Sequence, residues 1–272
     1  MHAAVATSRT GGSRLGDILG RAFNAYTSQW SAWLLPVFLC GLILIGCELA
    51  CVIPAFFAQG PLMCALFACA MLNLRGQPVD TSALSRGWNI FWSAAWGGIA
   101  LLLIQMLPVL LFLIVMVAGM AGFGATVAPR QAGGKPDDAA AALFAFGFMA
   151  FYFLFFFGFM AWMFYFNTRT MFVMPLIADR GYGFSDAWHA SWEATRRRFW
   201  ERLLLVVLAG ILGGIGVYIC YVGVLFTLPL YFLILGAAYE DEFGIAFDGW
   251  GIPSAPPVPS GDSPFPTGEP LR

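Results

Sequence analysis

The sequence predicts an all-α, polytopic membrane protein: six transmembrane helices arranged as three hairpins, each preceded by a cytoplasmic, interfacial amphipathic helix. Three observations carry this. The 272 residues are 60% hydrophobic and only 11% charged, whereas a soluble domain carries roughly 25% charged residues to cover its wet surface. Gly87 to Pro129 and Leu203 to Tyr239 contain no Asp, Glu, Lys or Arg, and about 20 apolar residues cross a bilayer as a helix. The alternating pattern of a membrane β-barrel is absent. Finally, an aromatic motif recurs along the chain just ahead of apolar runs.

The expected crossings are residues 31–53, 55–74, 93–118, 143–177, 200–218 and 221–240. The last two share one long run and form a tight hairpin near Tyr218 to Gly223. The fourth is too long for one perpendicular helix, so it tilts, protrudes or leaves the membrane partway. Six crossings with the N-terminus inside place Arg9, Arg14, Arg21, Arg75, Arg86, Arg169, Arg180, Arg196, Arg197, Arg198, Arg202 and Arg272 on the cytoplasmic face. Only Arg130 and Lys135 fall outside, and an odd number of crossings would spoil this bias. Both termini are therefore expected on the cytoplasmic side. The first dozen residues lack the apolar stretch of about 7–15 residues that marks a signal peptide, so none is expected.

The motif is clearest when residues 16–41 are set on 185–210 without a gap. Leu19, Phe23, Tyr26 and Trp30 fall on one helical face, and Trp188, Trp192, Thr195 and Phe199 take the same places. A third copy reads Leu84, Trp88, Phe91 and Ala95. Each begins beside a capping residue: Asp17, Asp80-Thr81-Ser82 or Ser185. Helices carrying Trp and Arg lie flat at the headgroup level. The chain thus divides into a disordered start (1–12), a six-helix domain (13–244) and a disordered Pro- and Gly-rich cytoplasmic tail (245–272). The domain's repeat units are about 13–76, 80–181 and 184–244, with an outer loop at 119–142.

GPLMCALFACAMLNLRGQPVDTSALSRGWNIFW (60–92), RTMFVMPLIADRGYGFSDAWHASWEATRRRFWERLLL (169–205) and GVLFTLPLYFLILGAAYEDEFG (223–244) resemble the glycine–proline and aromatic spacing of YciC-like bacterial integral membrane proteins. They are similar also to the membrane domain of glycerophosphodiester phosphodiesterases. The resemblance implies a six-helix inner-membrane fold. It implies no activity, since most members have none established.

Little in the sequence points to catalysis. No H-E-x-x-H, G-x-S-x-G or Walker A motif occurs, and no catalytic residue, metal site or cofactor is expected. The six cysteines form no C-x-x-C pair and read as small buried hydrophobes. His189 sits between Asp186 and Glu193 on a polar helical face, which suits a solvated ion-pair stripe. Net charge is −1, and no folded basic surface suggests nucleic acid.

The expected role is non-enzymatic, at the cytoplasmic leaflet, with anionic lipid or a membrane-protein partner. Basic residues beside a membrane helix attract anionic headgroups; the candidates are Arg21, Arg86, Arg196, Arg197, Arg198 and Arg202. The alternative is a transporter of a small or amphipathic solute, with the intramembrane polar residues Glu48 and Arg169 facing a cavity. A lipid-modifying enzyme ranks third. Gly210, Gly213 and Gly214 are expected to let helices pack closely.

Overall fold

The computed structural model describes residues 14–50, 52–79, 84, 88, 90–127, 138–219 and 223–245. Among them all regular structure is helical. The helices are α1 (Arg14–Gln29), α2 (Leu34–Ala50), α3 (Val52–Leu74), α4 (Phe91–Val127), α5 (Asp138–Thr170), α6 (Val173–Arg180), α7 (Phe184–Arg196), α8 (Phe199–Ile219) and α9 (Val224–Phe243). Five spans are long and apolar enough to cross a membrane: α3, α4, α5 continued through α6, α8 and α9. The pair α1 and α2, bent by 92° at its break, makes a sixth if counted as one span. The composition therefore folds as an integral, multi-pass helical membrane protein.

The core is built from α3, α6 and α9. Cys64 to Leu72 on α3, Val173 to Asp179 on α6, and Phe232 to Tyr239 on α9 are buried without interruption. A helix apolar on every side needs neighbours on every side. Accordingly, α3 packs against α1, α2, α4, α6 and α9. Its approach to α4 is set by glycine: a Cβ on Gly60 would stand 1.9 Å from the Ala94 carbonyl oxygen, and one on Gly98 would stand 2.8 Å from the Gly60 Cα.

The lead segments α1 and α7 each bury one face. On α1, Ile18 and Ala22 are buried whereas Phe23, and Trp30 just beyond the helix, are exposed. On α7, Ala187, Ser191, Ala194 and Thr195 are buried. The ungapped alignment of 16–41 with 185–210 places buried on buried: Ile18 on Ala187, Ala22 on Ser191, Trp33 on Arg202, Val37 on Val206 and Cys40 on Ala209. The third lead segment, including Asp80, Thr81, Ser82 and Arg86, lies largely outside the described residues, as do 1–13 and 246–272.

The second hairpin sharpens one expectation and changes another. The overlong fourth crossing is divided: α5 ends at Thr170, and α6 starts at Val173. Pro175 falls in the first turn of α6, where its missing N–H leaves no hydrogen bond unmade. Ser191 of α7 bridges the break, accepting from the Phe172 N–H at 3.3 Å and donating to the Arg169 carbonyl at 2.8 Å. The 119–142 segment is not wholly a loop. Helix α4 continues to Val127 and α5 starts at Asp138; residues 128–137 lie outside the described residues.

Candidate functional site

Helix α9 ends in Tyr239-Glu240-Asp241-Glu242-Phe243. Acidic side chains and unpaired carbonyls at a helix C-terminus concentrate negative charge and attract cations. Arginines from four other parts of the chain supply them. Arg21 of α1 donates to Glu240 at 2.7 Å and to the Ala237 carbonyl at 3.3 Å. Arg202 of α8 donates to Glu242 at 2.6 Å and lies 3.9 Å from Asp241. Arg180 of α6 donates to the Phe243 carbonyl at 2.7 Å. Arg75, just beyond α3, donates to the Ile245 carbonyl. Deeper in, the Tyr239 hydroxyl donates to the fully buried Asp179 at 2.7 Å. The end of α9 is thus the electrostatic hub of one face of the bundle.

This geometry divides the predicted lipid-contact arginines. Arg202 is fully buried, ion-paired, and stacked 5.5 Å from the Phe172 ring; it has no surface to offer a headgroup. Arg21 keeps 37% of its side-chain surface, but its charge is matched by Glu240. Arg202 is a structural cation, a correction to the sequence expectation, while Arg21 is ion-paired and partly exposed. The acceptors lie more than two hundred residues away from Arg21, and no local pattern links them. Arg86 lies outside the described residues.

Arg196, Arg197 and Arg198 differ. They occupy the end of α7 and the turn into α8, are all exposed, and form no ion pair with the described residues. Trp200 beside them is 78% exposed. The next helix begins at Phe199, so three free guanidinium groups stand at the root of a membrane-long helix.

Arg169 stands in the last turn of α5. Its guanidinium lies 5.4 Å from the Tyr165 ring, 4.9 Å from Trp192 and 5.2 Å from Phe199. One N–H reaches the Trp192 carbonyl at 3.5 Å. An aromatic cage holds a cation by the negative faces of its rings. Glu48 is exposed in the last turn of α2. Neither Arg169 nor Glu48 lines the cavity found between the hairpins, so at that cavity the alternative expectation that both face it is not met.

Asp179 is buried against Tyr239, while His189 and Glu193 are exposed on α7. The described residues bring together no group of three or more His, Cys, Asp or Glu side chains able to hold a metal. Among the glycines, Gly213 is a close-packing position: a Cβ there would stand 2.7 Å from the Tyr231 Cβ. Gly210 and Gly214 face open space, which corrects the expectation that all three pack. Gly216, three residues after Gly213, takes the second contact.

Residues 146–238 match the family described as the membrane domain of glycerophosphoryl diester phosphodiesterase. The match runs from within α5 through most of α9, and so includes the α5–α6 break, the Arg triplet and the Gly213 contact. This region is therefore related to that membrane domain. No curated protein and no solved structure matches the chain.

Proposed function

We propose that the chain is a six-span bacterial inner-membrane protein of the YciC-like kind that acts without catalysis. In this reading its cytoplasmic face engages anionic lipid, or a membrane protein held there by the same charge. The observation that carries the proposal is the division of labour among arginines. Arg21, Arg180 and Arg202, and the exposed Arg75, are tied to the end of α9, whereas Arg196, Arg197 and Arg198 are exposed beside Trp200 with no ion pair among the described residues. Basic residues near an anionic leaflet each contribute roughly 1 kcal/mol, and aromatic residues hold the depth. The bias of basic residues toward one side supports cytoplasmic termini. The buried-on-buried alignment of 16–41 with 185–210 supports a repeat shared by the first and third units, and the same spacing in the second extends the reading to three, each a lead helix followed by a hairpin.

The test replaces Arg196, Arg197 and Arg198 together with Gln and measures anionic lipid retained on the purified protein by native mass spectrometry. Retained phosphatidylglycerol and cardiolipin should fall at least tenfold while the thermal midpoint is unchanged, because the triplet has no ion-pair partner among the described residues. Unchanged anionic lipid content would refute the proposal.

A further inference from the structure

Beneath the α5–α6 break, between all three hairpins, lies a cavity of about 120 Å3. Its walls come from α3, α4, the α5–α6 junction, α8 and α9. Four polar side chains reach it from the first three: Gln59, Gln105, Asn167 and Thr170. Gln105 donates to Asn167 Oδ1 at 3.1 Å, and Thr170 donates to the Phe166 carbonyl at 2.9 Å. That leaves Gln105 Oε1, Asn167 Nδ2 and the whole Gln59 amide without a hydrogen-bond partner among the described residues. The wall from α8 and α9 is Val206, Tyr231 and Leu235.

Amides at membrane depth are costly unless something answers them. No Asp, Glu, Lys, Arg or His lines the space. An ion entering it would find no counter-charge, and intramembrane charge is tolerated when paired or wet. The nearby cation Arg169 is committed to its aromatic cage. At about 30 Å3 of liquid volume per water, the cavity of about 120 Å3 holds a handful of waters, or a compact ligand of similar size. Amide and hydroxyl groups stand on one wall, and mostly apolar surface, with the Tyr231 phenol among it, on the other.

We propose that this cavity is a binding site for a compact, uncharged molecule carrying adjacent hydroxyl groups and a short apolar part. The molecule is either a free solute or the headgroup of a neutral lipid. This site is separate from the Arg triplet, and the proposal stands or falls independently of lipid binding there.

The experiment uses the full chain in phosphatidylcholine nanodiscs and saturation-transfer NMR. The probes are 1,2-butanediol and its anionic counterpart 2-hydroxybutyrate. Butanediol should give a signal on the wild type and 2-hydroxybutyrate none. Gln59→Leu and Asn167→Leu should each weaken butanediol binding by about three- to tenfold, the loss of one hydrogen bond. Displacement by 1,2-dodecanediol, which stays in the bilayer, assigns the ligand to a lipid; failure to displace assigns it to an aqueous solute. The proposal is overturned by no butanediol signal, by equal signals from the two probes, or by full binding in folded Gln59→Leu. If neither Leu variant folds, the neutral-against-anionic comparison on the wild type decides alone.

Discussion

In the third hairpin, α8 and α9 meet through backbone. A Cβ on Gly216 would stand 2.4 Å from the Gly223 carbonyl group, and Thr227 donates to the Gly213 carbonyl at 2.7 Å. In the second hairpin, α4 and α5 meet through rings. Phe112 stacks on Phe155 at 3.9 Å and on Phe151 at 6.2 Å, and an apolar groove of about 580 Å3 opens beside them between Val115 and Phe151. Length separates the two as well. At 1.5 Å per residue, α4 and α5 reach about 55 and 50 Å, against about 30 Å for α8 and α9 and for a bilayer's apolar core. Close packing and polar ties thus belong to the hairpin that fits the membrane. The overlong hairpin is held by large side chains, many of them exposed. The difference teaches that this bundle is rigid around α9 and loosely joined away from it.

The sharpest way to break that contrast is Arg202→Leu. It leaves Glu242 and Asp241 without their buried partner, a class of change that costs about 3–5 kcal/mol. The thermal midpoint in detergent should fall steeply. The double variant Arg202→Met with Glu242→Leu should recover part of the loss, because the carboxylate closest to the missing guanidinium is removed with it. Gly213→Ala comes next. Its new methyl meets the Tyr231 Cβ at 2.7 Å, so α8 and α9 must part, at a cost of about 2 kcal/mol in the same melt. Smallest is Phe112→Leu, which removes ring contacts worth about 1 kcal/mol and leaves the outer helices in place. If Phe112→Leu destabilises the protein more than Gly213→Ala, the second hairpin is not the looser one.

The crossings were legible because a bilayer demands a long run of apolar residues, and such runs survive any rearrangement of their neighbours. The α5–α6 break showed in sequence only as excess length. Its cause, Ser191 reaching back to Arg169 and Phe172, is a tertiary contact. The arginines illustrate the same limit. Their number was plain, but Arg202 and Arg198 look alike in a string, and their fates depend on which face of α8 meets Glu242. Spacing misled at the glycines. The four-residue interval Gly210–Gly214 suggests a contact face, yet the packed pair is Gly213 and Gly216, an interval of three that also lies on one helical face. The cavity was half visible, since Gln59 and Gln105 stand out in apolar runs, but Asn167 joins them only through the fold.

The hub on α9 also has a consequence in time. Arg21 and its acceptor Glu240 are separated by 219 positions. At about 5–20 residues per second, the first waits on the order of ten to forty seconds for the second to leave the ribosome. Arg75, Arg180 and Arg202 wait for the same short stretch. Until residues 239–245 arrive, these cations lack the acceptors that the end of α9 supplies, so the ties that α9 makes to the earlier helices form last. The last described helix to be made is the one that locks the earlier ones together.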